Sequence, residues 1–318
     1  MKDAIVVNDF KINPRKKNKM GFIYYLKRDK FLYLLLLLPI TYFIIFKYGP
    51  LYGVLIAFKD YNIFQGVLKS KWIGLTAFKE LFAMADFYKV VRNTLMLNGL
   101  DLIVGFPAPI ILAIILNELK NLTFKKTTQT LLYLPHFLSW VIVGDISYQI
   151  FSSNGLVNGV IKSLGGTAVP FLSDKWHWLA TYLGIGVWQS IGWGTIIYLA
   201  AITGIGKELY EAAEVDGADR LRRIWHITLP CIKPTVIILL ILQLGRMVSI
   251  GFDRPFIIGN PLVQDFSDVI STFVYRVGLG SGDFTRATAV GLFQSVVSLI
   301  FLLGANFIAE KSGEQGIW

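Results

Sequence analysis

The sequence predicts an all-α membrane protein with six transmembrane helices, and composition and hydropathy are the observations that predict it. Of its 318 residues, 54% are hydrophobic and 16% are charged, and the mean hydropathy is +0.56. These values are ordinary for a polytopic membrane protein and unusual for a soluble one. Apolar segments of about the twenty residues that a bilayer core requires recur six times along the chain.

The six spans follow one another from residue 31 to residue 309. The first begins at Phe31, after a basic segment (residues 1–30) with nine Lys or Arg, and runs to about Phe46. It has no small-residue cleavage site, so we predict a retained span that Pro39 can kink, rather than a signal peptide. Residues 48–88 are too broken for a span and are expected outside the cytoplasm, partly on the bilayer. The other spans are predicted at 92–117, 130–151, 176–203, 231–252 and 286–309.

The distribution of basic residues predicts the orientation of these spans. With a cytoplasmic N-terminus, the cytoplasmic segments contain 18 Lys and Arg in 81 residues, and the outer segments contain 12 in 104. The positive-inside rule therefore places both termini, including the tail at residues 310–318, in the cytoplasm. The basic residues of these segments account for the net charge of +10, and no separate basic groove suggests nucleic-acid binding.

The loop between spans four and five, residues 204–230, contains the most distinctive motif. Its spacing is E-A-A, three residues, G, nine residues, I-x-L-P, formed by Glu211, Ala212, Ala213, Gly217, Ile227, Leu229 and Pro230. Glycine permits the positive φ of a sharp bend between two short helices, and proline suits the first turn of the helix that follows. We therefore predict a helix up to Val215, a bend at Gly217, and a second short helix from Arg220 that stops at Leu229 and Pro230. An amphipathic connector on the membrane surface is the alternative interpretation.

This spacing resembles the EAA loop of the permease subunits of bacterial ABC importers, with no position missing. The resemblance implies the six-helix fold of a type I importer permease, in the plasma membrane, whose coupling helix docks in a cleft of a cytoplasmic ATPase. The seven residues of the motif would then contact the ATPase. The resemblance also implies a second permease subunit, as a heterodimer, and an extracellular solute-binding protein.

Two further stretches resemble the sugar-importer branch of that family. One comprises a Y-G-x-x-I-A-F-K-D-Y-N run at Tyr52 to Asn62 and a W-x-G-L-x-x-F run at Trp72 to Phe78. The other is the run from Ala289 to Asn306 in the last span. These likenesses imply that the transported solute is an oligosaccharide.

Chemistry by this chain itself is not expected. The nearest approach to a phosphate-binding loop, Ala201 to Glu208, lacks the first glycine and ends in glutamate where a hydroxyl should hold magnesium. ATP and Mg²⁺ are therefore expected on partner ATPase subunits, and no cofactor on this chain. His136, His177 and His226 lack metal-ligand spacing and are expected to be structural.

Polar and aromatic residues inside the spans are candidates for a translocation path, because such side chains are costly in lipid and normally face the bundle interior or water. Gln243 and Arg246 share one helix face in the span that directly follows the loop, and this position favours them most as path residues. The candidates are Gln243, Arg246, Asn98, Asp101, Trp188 and Trp193. The alternative is internal packing, with Arg246 paired to Asp101 or Asp145. Trp176 and Trp178 are expected to be anchors at the membrane interface.

Three rival functions remain open from the sequence. An ion-gradient-driven secondary transporter would use Asp101, Asp145 and Arg246 as a relay, but it would need an inverted repeat, and no clear repeat is present. A membrane scaffold would show no response to ATP. An ABC permease for a solute other than a sugar would share every feature of the EAA loop.

Overall fold

A computed structural model describes residues 28–314, 316 and 317. Most of the predicted N-terminal basic segment, and two residues of the tail, therefore lie outside the described residues. The chain divides into two units, Met1–Val54 and Leu55–Trp318.

The first unit contains the first membrane helix. It begins as α1 (Lys30–Phe43), continues as a π-helical turn (Ile44–Tyr48), and passes into a 3-10 segment (Gly49–Phe58) whose last residues belong to the second unit. Pro39 lies inside α1, and the departure from α-helical geometry begins only at Ile44. The stretch Lys30–Phe58 is apolar and long enough to cross a membrane, so the helix extends past the predicted end near Phe46.

The second unit opens with a small hairpin in the segment predicted to lie outside the cytoplasm. Its elements are β1 (Lys59–Asp60), α2 (Gly66–Lys69), β2 (Lys71–Trp72) and α3 (Thr76–Ala83), and the two strands pair antiparallel. The hydroxyl of Thr285 donates to Lys59 O (2.8 Å) and accepts from Tyr61 N (3.1 Å). These bonds attach the hairpin to the start of the last helix.

The rest of the second unit is helical. The elements up to the fourth predicted span are α4 (Ala85–Leu100), a π-helical turn (Asp101–Gly105), α5 (Pro107–Glu118), α6 (Leu122–Tyr133), a 3-10 turn (Leu134–Phe137), α7 (Trp140–Phe151), α8 (Leu156–Ser163) and α9 (Lys175–Thr203). The elements that follow are α10 (Lys207–Val215), α11 (Arg220–Arg223), a π-helical turn (Ile224–Thr228), α12 (Leu229–Gly245), α13 (Asp253–Ile258), a 3-10 turn (Pro261–Val263), α14 (Gln264–Ser267), α15 (Ile270–Tyr275), a π-helical turn (Arg276–Gly280) and α16 (Phe284–Lys311).

Within the described residues, five helices are long and apolar enough to cross a membrane, or six if one bent pair counts as a span. The bent pair, Leu122–Phe137 and Trp140–Ser163, meets at 104° and replaces the single straight span predicted at 130–151. The bend arises because Leu134 and Pro135 enter a 3-10 turn. Ser139 Oγ then accepts a hydrogen bond from Ile142 N (3.4 Å) and caps a new helix.

The core of the second unit joins the spans to the irregular segment between α12 and α16. Trp178 is fully buried, and its Nε1 donates to Ile258 O at 3.0 Å. The prediction that Trp178 is an interface anchor is therefore wrong, whereas Trp176 is 66% exposed. Asn93, also buried, donates to the carbonyls of Asp265 and Asp268 (2.9 Å each), which lie in the short helix α14 and at its C-cap.

Asp265 and Asp174 lie outside the spans and take part in ion pairs. Lys89 pairs with the carboxylate of Asp265, and this hydrogen bond and charge hold the pKa of Asp265 below its usual value. Asp174 caps α9 by accepting from the backbone N–H of Trp176 and of His177 (3.1 and 3.2 Å). The side-chain hydrogen bond to the imidazole of His177, 2.7 Å away, is the main cause that lowers the pKa of Asp174, and the backbone bonds add to it.

Candidate functional site

A cavity of about 340 Å³ lies among the membrane helices of the second unit. It is lined by the π-helical turn after α4 and by α5, α9, α12 and α13. Three charged and three other polar side chains contribute to its wall: Asp101, Arg246, Arg254, Ser190, Tyr198 and Gln243. The remaining wall is apolar or glycine, as is usual for a ligand site with a few polar groups that fix orientation.

An ion pair between Asp101 and Arg254 forms one side of this cavity. The Arg254 guanidinium donates to both carboxylate oxygens of Asp101, at 2.7 and 3.3 Å, and to Tyr182 O at 2.8 Å. Its Cζ also lies 3.8 Å from the centroid of the Tyr182 ring, a cation–π contact. Both charged side chains are largely buried, at 14% and 21% exposed, so the two charges compensate each other within the bundle.

The backbone of α9 leaves room for this ion pair at Gly186. A Cβ atom at Gly186 would overlap the Arg254 guanidinium, so only glycine lets the cation lie flat against the helix. Nearby, Gly192 contacts the backbone of Leu132, and Gly194 contacts Pro109. Glycine in α9 therefore serves close packing inside this chain.

Arg254 is the residue of this site that the sequence interpretation missed. The sequence places residue 254 in the loop between the predicted spans at 231–252 and 286–309, and it suggests Arg246 as the partner of Asp101 or Asp145. That pairing is not formed, because Asp101 is bound by Arg254 and Asp145 accepts instead from Gln149 Nε2 (2.8 Å). The available signal was one arginine followed by four apolar residues, 255–258, which favours burial over a solvated loop.

Gln243 and Arg246 line the cavity together at the end of α12. The helix ends at Gly245, with Arg246 as its C-cap residue, so the predicted span 231–252 ends about two turns early. Neither side chain forms an ion pair or a side-chain hydrogen bond with another residue in the described part of the chain. Both side chains are therefore available to a ligand.

Asn98 supports this helix end from α4 and does not line the cavity. Its buried Nδ2 donates to Arg246 O (3.2 Å) and Met247 O (2.8 Å), two carbonyls just beyond the end of α12, and Arg246 O also accepts from Ser249 N (2.8 Å). Asn98 thus fixes the backbone at Arg246, and its predicted contact with a solute stays a prediction.

The two tryptophans proposed for the path lie elsewhere on α9. Neither Trp188 nor Trp193 lines the cavity, and they are 45% and 48% exposed. The Trp193 ring stacks on His136, with 4.6 Å between centroids and 5° between planes. This stacking joins α9 to the bent pair, and a role of either tryptophan in transport stays a prediction.

A larger cavity of about 690 Å³ lies where the end of α7 meets residues 170–173 and 257–262. No charged side chain lines it among the described residues, and its polar side chains are serine and tyrosine hydroxyls and the amide of Asn260. The smaller cavity therefore differs from it in offering charged groups to a solute.

A second candidate site is the loop between α9 and α12, which contains the EAA motif. Glu211, Ala212 and Ala213 lie in α10, and the helix closes at Gly217, whose φ is +72°. Ala218 N donates to Ala213 O (2.8 Å) and Gly217 N to Glu214 O (3.1 Å). This pair of bonds is a Schellman motif, in which glycine adopts the left-handed conformation.

The chain leaves this bend as one continuous helix. Asp219 accepts from Arg222 N (2.7 Å) and caps α11, and α11, the π-helical turn and α12 follow without a break from Arg220 to Gly245. The predicted stop at Leu229 and Pro230 is therefore wrong. Pro230 lies within this continuous helix and has no N–H to donate, and the π-helical turn directly before it accommodates the proline.

The loop presents an exposed surface with both charge and apolar area. Glu211 and Ala212 are exposed, and Arg223 forms an ion pair with Glu214 across the bend. Three exposed apolar side chains belong to the same surface: Val215 (89%), Leu221 (68%) and Trp225 (66%). Ile227 and Leu229 are half-buried, so the outer part of the motif is the part open to a partner.

A family model matches this chain over residues 84–311, most of the second unit. The family is described as the inner membrane component of binding-protein-dependent transport systems. The match includes both the cavity and the EAA loop.

Characterised proteins resemble the chain over nearly its whole length. It is 47% identical to protein LplB of Bacillus subtilis over 294 residues, 92% of each chain. It is 43% identical to the polygalacturonan/rhamnogalacturonan transport system permease protein YteP of Bacillus subtilis, over 99% of this chain and 97% of that one. A solved bacterial alginate ABC transporter, in complex with an alginate pentasaccharide-bound periplasmic protein, contains a chain with a TM-score of 0.85, 39% identity, and coverage of 93% and 99%.

Proposed function

The chain belongs to the family of binding-protein-dependent transport system inner membrane components, and we propose that it is the permease subunit of an ATP-driven oligosaccharide importer. It is thus a multi-pass membrane component of a transport system and not an enzyme, as the sequence predicted. The solute class rests on the relatives, of which YteP is named for polygalacturonan and rhamnogalacturonan and the alginate transporter for alginate.

The observation that carries the mechanism is the physical continuity between the EAA loop and the cavity. The helix from Arg220 to Gly245 has 26 residues and, at about 1.5 Å per residue, is roughly 39 Å long. One end carries the exposed surface of the loop, and the other carries Gln243 and Arg246 in the cavity wall. A displacement of the loop by a partner is therefore transmitted along one helix to the cavity.

The partners follow from this arrangement. A cytoplasmic ATPase, which binds ATP and Mg²⁺, receives Glu211, Ala212, Ala213 and the residues around Gly217 in a cleft. A second permease subunit supplies the other half of the path, and an extracellular binding protein delivers the oligosaccharide. Both termini of this chain lie in the cytoplasm of the bacterium, on the same side as the loop.

Copurification in mild detergent tests this proposal. The chain is purified from a host that expresses its neighbouring genes, and bound proteins are identified by mass spectrometry. We expect an ATPase and a second six-span permease, with ATP hydrolysis stimulated by an oligosaccharide-loaded binding protein. Recovery of the chain alone, with uptake that follows a proton or sodium gradient, would identify a secondary transporter. Stimulation only by a peptide- or amino-acid-loaded binding protein would identify a permease for a different solute.

The substitution Glu211→Lys tests the coupling role directly. Glu211 is exposed and has no partner in the described residues, so the free energy of unfolding should change by less than about 0.5 kcal/mol. Reversal of its charge should nevertheless abolish oligosaccharide-stimulated ATP hydrolysis by the assembled complex. Glu118→Lys, the same charge change at the end of α5, is the matched control and should retain stimulation. Equal stimulation in both variants would remove Glu211 from the coupling contact.

A further inference from the structure

We propose that the cavity recognises anionic oligosaccharides, and that the Arg246 guanidinium binds an acidic group of the solute. The proposal rests on the proposed function, since it names the substrate class of the same cavity. Carboxylates and sulfates of glycans share the chemistry required, a negative group with several oxygen acceptors that a guanidinium fork can bind.

The first argument is the balance of charge in the cavity. Asp101, Arg246 and Arg254 are the charged side chains among its lining residues. The carboxylate of Asp101 is matched by Arg254, with two hydrogen bonds at 2.7 and 3.3 Å. Arg246 is left as an uncompensated positive charge, so the cavity attracts an anion and disfavours a cation.

The second argument is that the charge of Arg246 has no structural use in this chain. A cation inside a membrane bundle is costly unless it is paired or faces a watery path. Arg254 meets that requirement through Asp101 and Tyr182, whereas Arg246 is exposed to the cavity and forms no ion pair within residues 28–314, 316 and 317. A solute that supplies the missing negative charge removes this cost during passage.

The third argument is that the backbone at Arg246 is held in place. Arg246 N donates to Gln243 O (3.0 Å), and Arg246 O accepts from Asn98 Nδ2 (3.2 Å). The side chain therefore projects from a fixed backbone position, and no backbone entropy has to be lost when it binds. Gln243, one turn earlier on the same wall, offers an amide that can donate to and accept from sugar hydroxyls.

The cavity volume is consistent with recognition of one part of a glycan at a time. At about 340 Å³ it lies at the small end of the range of about 300–1,000 Å³ for ligand sites. A single positive charge in such a volume binds one acidic sugar unit at a time. The unit can then leave, because its contact with Arg246 is replaced by that of the next acidic unit.

Direct binding to the complete transporter tests this proposal. The complex is reconstituted in nanodiscs without binding protein, so that selection by the latter does not contribute. Binding of short oligogalacturonates is compared with that of carboxyl-reduced oligomers of the same length and of sulfated oligomers, by saturation-transfer NMR titration. We expect the intact complex to bind at least one acidic series about tenfold more tightly than the neutral one, the gain expected from one charged hydrogen-bonding contact.

Substitutions assign this preference to Arg246. Arg246→Gln should reduce the preference to about onefold, and Arg246→Lys should keep most of it. Gln243→Glu, which places a carboxylate one turn from Arg246, should weaken acidic binding at least as much and remains decisive if the Arg246→Gln complex fails to assemble. Lys126→Gln removes one positive charge from an exposed position of α6 and should leave the preference intact.

The outcomes separate this inference from the proposed function. If the intact complex binds acidic and neutral oligomers equally, or if Gln243→Glu and Arg246→Gln keep the acidic preference, the inference is wrong. Oligosaccharide-stimulated ATP hydrolysis would still support the importer in that case. The importer proposal itself fails on a different measurement, the absence of stimulation by any oligosaccharide-loaded binding protein.

Discussion

The cavity and the EAA loop are built from contacts of different range along the chain. In the loop, the Schellman bonds, the Asp219 cap and the Tyr210–Thr228 hydrogen bond all join residues separated by 18 positions or fewer. In the cavity, the ion pair of Asp101 and Arg254 joins residues 153 positions apart. A substitution in the loop should therefore disturb only the loop, whereas a substitution in the cavity should lower the stability of the whole bundle.

Removal of the Arg254 side chain should have the largest effect on stability. Arg254→Ala leaves the Asp101 carboxylate without its cation and Tyr182 O without its donor, both inside the bundle. Breaking one partner of a buried pair costs about 3–5 kcal/mol, so we expect a large fall in the melting temperature of the detergent-solubilised protein. Tryptophan fluorescence during heating measures it.

A double variant and an exposed pair serve as controls for that experiment. Asp101→Leu combined with Arg254→Met replaces both charges and should be more stable than Arg254→Ala alone. Glu80→Gln breaks the 3.6 Å pair with Arg286, in which Glu80 is 58% exposed, and should cost less than about 1 kcal/mol. Equal melting temperatures for Arg254→Ala and Glu80→Gln would show that the cavity pair does not hold the bundle.

A methyl group at Gly186 should have an intermediate effect. Gly186→Ala places Cβ where the Arg254 guanidinium lies, and the guanidinium cannot move freely because Asp101 and Tyr182 O hold it. We expect a loss of about 1–3 kcal/mol from overpacking, seen as a lower melting temperature.

The matched control lies two residues earlier on the same helix. A Cβ at Gly184 would meet nothing within 4 Å. Gly184→Ala should therefore be neutral or should stabilise by up to about 1 kcal/mol, because alanine favours the helix. If both alanine variants melt alike, the close approach of Arg254 to α9 is not what makes glycine necessary at position 186.

The same difference in range explains what could be predicted from the sequence. The bend at Gly217 depends on a glycine and on neighbours within a few residues, and the structure has it as predicted. The spans at 176–203 and 286–309 also agree closely with Lys175–Thr203 and Phe284–Lys311, because a long apolar run dictates a membrane helix.

The errors occurred where distant residues decide the structure. The pairing of Arg254 with Asp101 was not predicted, since nothing near Arg254 in sequence indicates that partner. Trp178 has the amphipathic ring of an interface anchor, but Ile258 O supplies an acceptor for its Nε1 in the core. The backbone just beyond the end of α12 at Gly245 is bound by Asn98, which donates to Arg246 O and Met247 O from another helix. Hydropathy alone predicts that the span continues past Gly245.

A change at Gly217 should have the smallest global effect and a clear local one. Gly217→Val forces a β-branched residue to a φ near +72°, which costs about 1–2 kcal/mol and weakens the two Schellman bonds. Hydrogen exchange of the Ala218 amide should accelerate roughly tenfold, while the melting temperature of the bundle stays unchanged, because the strain remains within the loop. Gly217→Asn, which tolerates the left-handed conformation, should show less acceleration. If Gly217→Val instead lowered the melting temperature as much as Arg254→Ala, the loop would be part of the cooperative core, and the separation of the two regions by contact range would fail.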